Sequence, residues 1–254
     1  MYDYHVIGFA SPIVSSAAVR GTALGSLPRT GWMDHPSLGR VKYSIKEVGD
    51  DPNEQVAATI GLMREYAGAD AYDPGLQADV SRAWRSDDAI GDTFNYLRKG
   101  GERGMQFVPD ESTGAPFESA ERPGGWRPVV ETLIRPADQA LLPNPQGDCD
   151  DFSQYGAAHL LARGVPCSYA TVGVEPTDPN VFSHVYLVAY PKDGPYAGPR
   201  VPLDLSHGPY VGWEAPNPWG KFCEWPLAGI GVFEWGLMAA GGYLLYRVLK
   251  GRAN

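Results

Sequence analysis

The residues Gln146-Gly147-Asp148-Cys149-Asp150-Asp151-Phe152-Ser153 constrain this chain more than any other stretch. Turn-forming residues (Pro143, Pro145, Gly147) give way at once to an apolar, helix-compatible run from Phe152 to Arg163. Gly164-Val165-Pro166 ends that run, with glycine past the helix and proline beyond it. A helix that begins here holds Cys149 at its mouth. Unpaired backbone N–H groups and the positive end of the helix dipole favour a thiolate at that place. Such a cysteine can serve as a nucleophile if the chain also supplies a base and a group that orients the base.

The pattern on either side predicts an α+β fold. Upstream, Asp51-Pro52-Asn53-Glu54 is a helix start, followed by Val56, Ile60, Met63 and Tyr66 at helical spacing. Further helices are expected over Leu76–Trp84 and Asp88–Lys99, with a short strand at Met105–Val108 and a loop over Pro109–Pro128. Residues 129–142 are mixed and interrupted by Pro136. Downstream the period becomes two. Ser168–Val174, Val181–Tyr190 and Arg200–Leu205 read as strands, with Phe182, His184, Tyr186 and Val188 on one face. Helices first and antiparallel strands after them exclude an alternating βαβ chain.

The strands bring a candidate base and its partner together. The connection Pro191–Ala197 is all turn chemistry. A hairpin centred on Gly194 sets His184 directly opposite Asp204 on the neighbouring strand. A carboxylate beside an imidazole fixes its tautomer and stabilises the imidazolium, which in turn holds a nearby sulfur as thiolate. The chemistry this implies is acyl transfer: thiolate attack on an amide or ester carbonyl, a thioester, then release to water or an amine.

Three motifs carry a resemblance. Gly147-Asp148-Cys149-Asp150-Asp151-Phe152, Phe182-Ser183-His184-Val185-Tyr186 and Val201-Pro202-Leu203-Asp204 resemble the transglutaminase-like superfamily, a papain-related group of cysteine acyltransferases and peptidases. The bacterial and phage-encoded members are the most similar. The match is specific over 147–208 and looser back to about 51. It implies Cys149 as nucleophile, His184 as base, Asp204 as orienting acid, and a cysteine helix packed on an antiparallel sheet. It implies no required organic cofactor. The domains then read as an N-terminal arm (1–45), a transglutaminase-like domain (46–215), and a Pro/Trp-rich linker with an apolar C-terminal helix (216–254).

Other residues near the motif have more ordinary readings. Asp148, Asp150 and Asp151 oppose a thiolate by charge and suit the helix N-terminus as cap and first-turn acids; Asp148 and Asp150 also stand as cleft candidates. Gln146 is a candidate oxyanion donor beside the Cys149 backbone N–H. His207, three residues past Asp204, is a further cleft candidate. His159 reads as a packed or surface histidine, Cys167 as core and Cys223 as packed among aromatics. Asp148, Cys149, Asp150, Asp151 and His184 include metal-compatible donors. Adjacent residues at one helix start are not expected all to converge on one ion, so no metal is assigned.

A net charge of −9 without a basic run argues against nucleic acid as a partner. Three cysteines without a C-x-x-C pair are neither a disulfide framework nor a structural zinc site. The stretch Val6–Ala18 has no Lys or Arg before it, which makes it a weak signal peptide. From Leu227 to Tyr246 the one charged residue is Glu234, and Arg247, Lys250 and Arg252 follow. This tail is either a membrane anchor or a helix packed on the protein or on an assembly partner. Two functions follow. The first is cysteine-dependent acyl transfer on protein or peptide amides, with hydrolysis favoured over crosslinking. The second is a virion- or envelope-associated assembly protein that uses the same fold as a docking module, with arm and tail making the contacts. The compartment stays open between cytoplasm, virion and membrane.

Overall fold

The structure, a computed structural model, describes residues 30–35, 39–46, 52–108, 129–131, 133–174, 176, 180–198 and 200–227. The fold is α+β, with N-terminal helices and the Cys149 helix packed on a four-stranded antiparallel sheet. Residues 1–29 of the arm, the loop 109–128 and all but the first residue of the 227–246 tail lie outside the described residues. Among the described residues no helix is long and apolar enough to cross a membrane.

Strands β1 (Thr30–His35), β2 (Gly39–Lys46) and β4 (Val129–Glu131) form one antiparallel sheet in the order β1-β2-β4. Helices α1 (Pro52–Asp70), α2 (Pro74–Ala83) and α3 (Ala89–Leu97) lie between β2 and β4 in the chain, followed by the short strand β3 (Gln106–Phe107). The helix starts are written in the sequence. Pro74 sits in the first turn of α2, and Asp73 accepts from Gly75 N (2.7 Å) and Leu76 N (3.2 Å). Asp88 accepts from Gly91 N (2.9 Å) at the start of α3. Pro136 does not interrupt its segment. It opens helix α4 (Pro136–Leu141), where a missing N–H costs nothing.

After strand β5 (Gln146–Gly147) comes helix α5 (Cys149–Ala162), then strands β6 (Cys167–Val172), β7 (His184–Ala189), β8 (Val201–Leu203) and β9 (Phe222–Pro226). The main sheet has the order β8-β7-β6-β9 and is antiparallel throughout. Phe222–Pro226, read above as linker, is therefore its edge strand. Trp225 Nε1 donates to Thr171 Oγ1 on β6 (2.9 Å), and Leu227 is buried in the core.

Strands β6 and β7 are buried on both faces. On one face Val185, Leu187 and Ala189 join the main core under α5. On the other, Ala170, Val172, Tyr186 and Val188 pack with Ala215 and Trp213. Helix α5 is buried from Cys149 to Leu160, so it is a central helix with no solvent face in that span. Its small residues let it approach the sheet closely: a methyl group on Gly156 would overlap Leu205 Cδ1 and stand 3.1 Å from Leu187 Cδ2.

A buried carboxylate ties the helices to α5. Asp79 on α2 is fully buried and accepts from Arg82 Nη2 (2.6 Å), Tyr96 OH (3.0 Å) and Tyr155 OH. His159 Nε2 lies 3.1 Å away, and Arg103 Nε pairs with the same carboxylate at 3.2 Å. Burial opposes the charge of Asp79. Hydrogen bonds from His159 and Tyr155, the His159 charge and the Arg82 bond outweigh it, so its carboxyl is held well below the usual range. Burial pushes the His159 imidazole down, toward its neutral form. His159 is thus a core ligand of Asp79.

Candidate active site

The peptide that leads into Cys149 is held on two sides. Strand β5 pairs in parallel with β3, and Val108 N donates to Gly147 O (2.8 Å). From the other side Gln139 clamps the Gln146 backbone: its Nε2 donates to Gln146 O (2.5 Å), and its Oε1 accepts from Gln146 N (3.0 Å). Gly147 has φ +147°, and a side chain there would overlap the Asp151 carboxylate, so glycine is required on both counts. Asp148 is the N-cap of α5, with its side chain accepting from Asp150 N (3.2 Å). Cys149 is the first residue of the helix and is 2% exposed.

Asp151 Oδ1 accepts from Ile134 N (2.8 Å), and Gln154 Nε2 donates to Ile134 O (3.0 Å), which fixes the first turn of α5 to the segment before α4. Donor oxygens of Asp148, Asp150 and Asp151 lie within 4.8 Å of one another. Cys149 and His184, the other two residues weighed as metal donors, do not belong to that group. The extended N-cap folds Asp148 back over the first turn, on the side where Asp151 lies. Asp148 and Asp151 each accept a backbone N–H, which is a structural use of both.

His184 begins β7, and its Nε2 lies 2.7 Å from Asp204 Oδ2, with both residues buried. The register differs from the one expected. The pairs Leu187↔Leu203, Val188↔Pro202 and Ala189↔Val201 centre the connection on residue 195, not on Gly194. Asp204 then falls beside Tyr186 and diagonal to His184, on the same face, so the imidazole still reaches it. Asp204 Oδ1 is fully occupied with a turn: it accepts from Ser206 N (3.1 Å), Ser206 Oγ (2.9 Å) and His207 N (2.8 Å). These bonds end β8 and aim Oδ2 at His184.

Burial of Asp204 favours its neutral form, but the His184 charge and hydrogen bond, with help from His207, hold its carboxyl below the usual range. An ionised carboxylate only accepts. His184 Nε2 is therefore the donor, and Nδ1 is the ring nitrogen left to take a proton. His207 meets His184 edge-on at 5.1 Å and Phe107 at 5.2 Å. Burial, with the charges of His184 and Lys99 outweighing Asp204, pulls His207 down to about 4, so it is neutral at pH 7.

Two contacts set α5 against β7. Gly156 packs on Leu187, and Ser153 Oγ, which donates to Cys149 O (2.6 Å), lies 3.3 Å from Val185 O. Both contacts lie C-terminal to Cys149 on the helix and to His184 on the strand, so the N-terminal end of α5 points toward the His184 end of β7. Phe152 on that first turn contacts Phe107 at 6.1 Å, and Phe107 contacts His207. Burial pushes the thiols of Cys167 and Cys223 up, away from thiolate at neutral pH. Of the residues singled out in the sequence, Cys149, Gln146, Asp148 and Asp150 share one helix start, and His184, Asp204 and His207 share one strand end. Gln139, Phe107 and Ser153 carried no signal, because each acts through a partner distant in sequence or through the backbone. Comparison with family models, with curated proteins and with solved structures finds no match.

Proposed function

We propose that this protein is a cysteine-dependent acyl-transfer enzyme of transglutaminase-like fold that acts on protein or peptide amides. The observation that carries this reading is the buried His184–Asp204 pair, 2.7 Å apart, at the end of the strand along which the Cys149 turn is aligned. His184 Nδ1 takes the thiol proton. The sulfur attacks the carbonyl carbon, the Cys149 N–H and Gln146 are the candidates to meet the developing oxyanion, and His184 returns the proton to the leaving amine. A thioester forms as the C–N bond breaks. Water then attacks the thioester carbonyl, the C–S bond breaks, and the thiol is restored. No metal or organic cofactor takes part in these steps.

The three buried carboxylates at the helix start favour a second reading, a docking module with a weakly activated thiol. p-Nitrophenyl acetate separates the two. An enzyme gives a burst of nitrophenolate equal to the protein present and an acetyl adduct on Cys149 that hydroxylamine removes. The Cys149→Ala variant gives neither. A burst absent from the unmodified protein contradicts the enzymatic reading.

A further inference from the structure

His184 is braced by more than its carboxylate. Tyr186 lies two residues further along β7, so both side chains leave the same face of the strand. Their rings stack at 6.1 Å with 29° between the planes, within the range of favourable aromatic pairs. His207 meets the same imidazole edge-on, at 87°. Val172, the partner of His184 on β6, is apolar. Beside the Cys149 thiol of the proposed reaction, the titratable groups about His184 among the described residues are Asp204, His207 with Lys99 acting on it, and Tyr186.

The Tyr186 ring is itself fixed. It is fully buried, and its OH donates to Glu214 Oε1. The same oxygen accepts from Arg200 Nη2 (2.6 Å), and Arg200 Nε donates to Glu224 Oε2 (3.1 Å). Burial, with the Glu214 hydrogen bond and charge, pushes the Tyr186 phenol far up, so it stays a donor at every working pH. A tyrosine side chain has two χ angles, and a bond at its far end fixes both. An aliphatic residue would fill this face without a hydroxyl that needs a partner. The chain places there instead a ring held by a charged acceptor.

We propose that Tyr186, anchored by Glu214, is a positioning residue for the candidate base: it holds the His184 imidazole in one orientation and stabilises its protonated form. The proposal rests on the acyl-transfer reading, in which His184 is that base. The electron-rich face of the phenol favours a positive ring lying against it, and an anionic acceptor at the hydroxyl adds electron density to that face. The neutral imidazole gains less. The stack therefore favours the step in which His184 takes the thiol proton.

Two measurements test it. The first follows the His184 ring signals by NMR through a pH titration in the Cys149→Ala protein, where no thiol takes part. Adding Tyr186→Leu should move the uptake of the His184 proton down by roughly 0.5–1 pH unit. Tyr186→Phe keeps the ring and loses the bond to Glu214, so about half that shift is expected. No shift in Tyr186→Leu, or none in Tyr186→Phe should the leucine variant not fold, overturns the proposal. The second is the rate of Cys149 alkylation by iodoacetamide at pH 6 divided by that at pH 9, with Cys149 in place. A less favoured imidazolium lowers this ratio about three- to tenfold in Tyr186→Leu. A role in stability alone moves the urea midpoint and leaves the ratio unchanged; at a thiol that is reactive at pH 6, that result overturns the proposal and leaves acyl transfer intact. A thiol inert at pH 6 in the unmodified protein instead overturns the acyl-transfer reading and the positioning role that rests on it.

Discussion

Asp204→Asn lowers the rate of Cys149 acylation by about 10²–10⁴-fold and leaves the fold in place. The reason lies in how the two oxygens are used. Oδ1 accepts three hydrogen bonds, from Ser206 N, Ser206 Oγ and His207 N, and those donors need an oxygen. An asparagine therefore keeps its carbonyl oxygen in the turn and presents its NH₂ to His184. That NH₂ donates where Asp204 Oδ2 accepted, so His184 Nε2 must become the acceptor and the ring proton moves to Nδ1. The nitrogen that should take the thiol proton is then already protonated. Stability should fall by only about 1–2 kcal/mol, because the turn survives and one charge-assisted bond is lost. The p-nitrophenyl acetate burst rate and a urea unfolding curve measure both effects. A rate within threefold of the unmodified protein would mean that Asp204 does not set the tautomer.

Asp79→Ala should be the most destabilising single change in the helical part. Asp79 is fully buried and joins α2, α3 and α5 through Tyr96, Tyr155 and His159, with Arg82 and Arg103 supplying positive charge. Alanine leaves two tyrosine hydroxyls and an imidazole without this acceptor and removes the carboxylate partner of the half-buried Arg103, whose Nη atoms keep the carbonyls of Gln139, Ala140, Leu142 and Pro143. The expected loss is about 3–5 kcal/mol, read as the change in unfolding free energy in urea. The pH dependence carries a sign of its own. The folded pKa of Asp79 is depressed, so its contribution is complete above the unfolded value of about 4 and is lost as pH falls through the folded value. His159 is also depressed, so the unfolded state binds more protons below about 6.5, and stability falls there too. Asp79→Asn should lower stability at pH 7 and flatten the profile below pH 4. An Asp79→Ala variant within 1 kcal/mol of the unmodified protein would show that the network is not what holds these helices.

The parts of the fold that could be read from the sequence are those whose signals are local. Proline and glycine bound α5, Asp73-Pro74 and Asp88 start α2 and α3, and period-two alternation marks β6, β7 and β8. The elements that were not legible depend on distant partners. Strand β9 is short, has Phe222 exposed, ends in Pro226 and follows closely on Trp219 and Gly220; β6 supplies the pairing that makes it a strand. Pro136 can stop a helix or start one, and its segment does not decide which. The site divides in the same way. Cys149, His184 and Asp204 lie in motifs, whereas the diagonal placement of Asp204 follows from the β7–β8 register, one residue off the expected centre of the connection. The Gln139 clamp on Gln146 and the pairing of His159 with Asp79 exist only in three dimensions. The convergence of Asp148, Asp150 and Asp151 needs the extended N-cap geometry, which sequence spacing does not reveal.

The most direct measurement is the rate of iodoacetamide alkylation of Cys149 from pH 4 to 9, resolved by site with mass spectrometry, beside the His184→Ala variant. A thiolate–imidazolium pair predicts a reactive plateau that extends well below the free-cysteine pKa of about 8.5 and vanishes in the variant. A profile that rises only near that pKa, and is the same in both proteins, would contradict it.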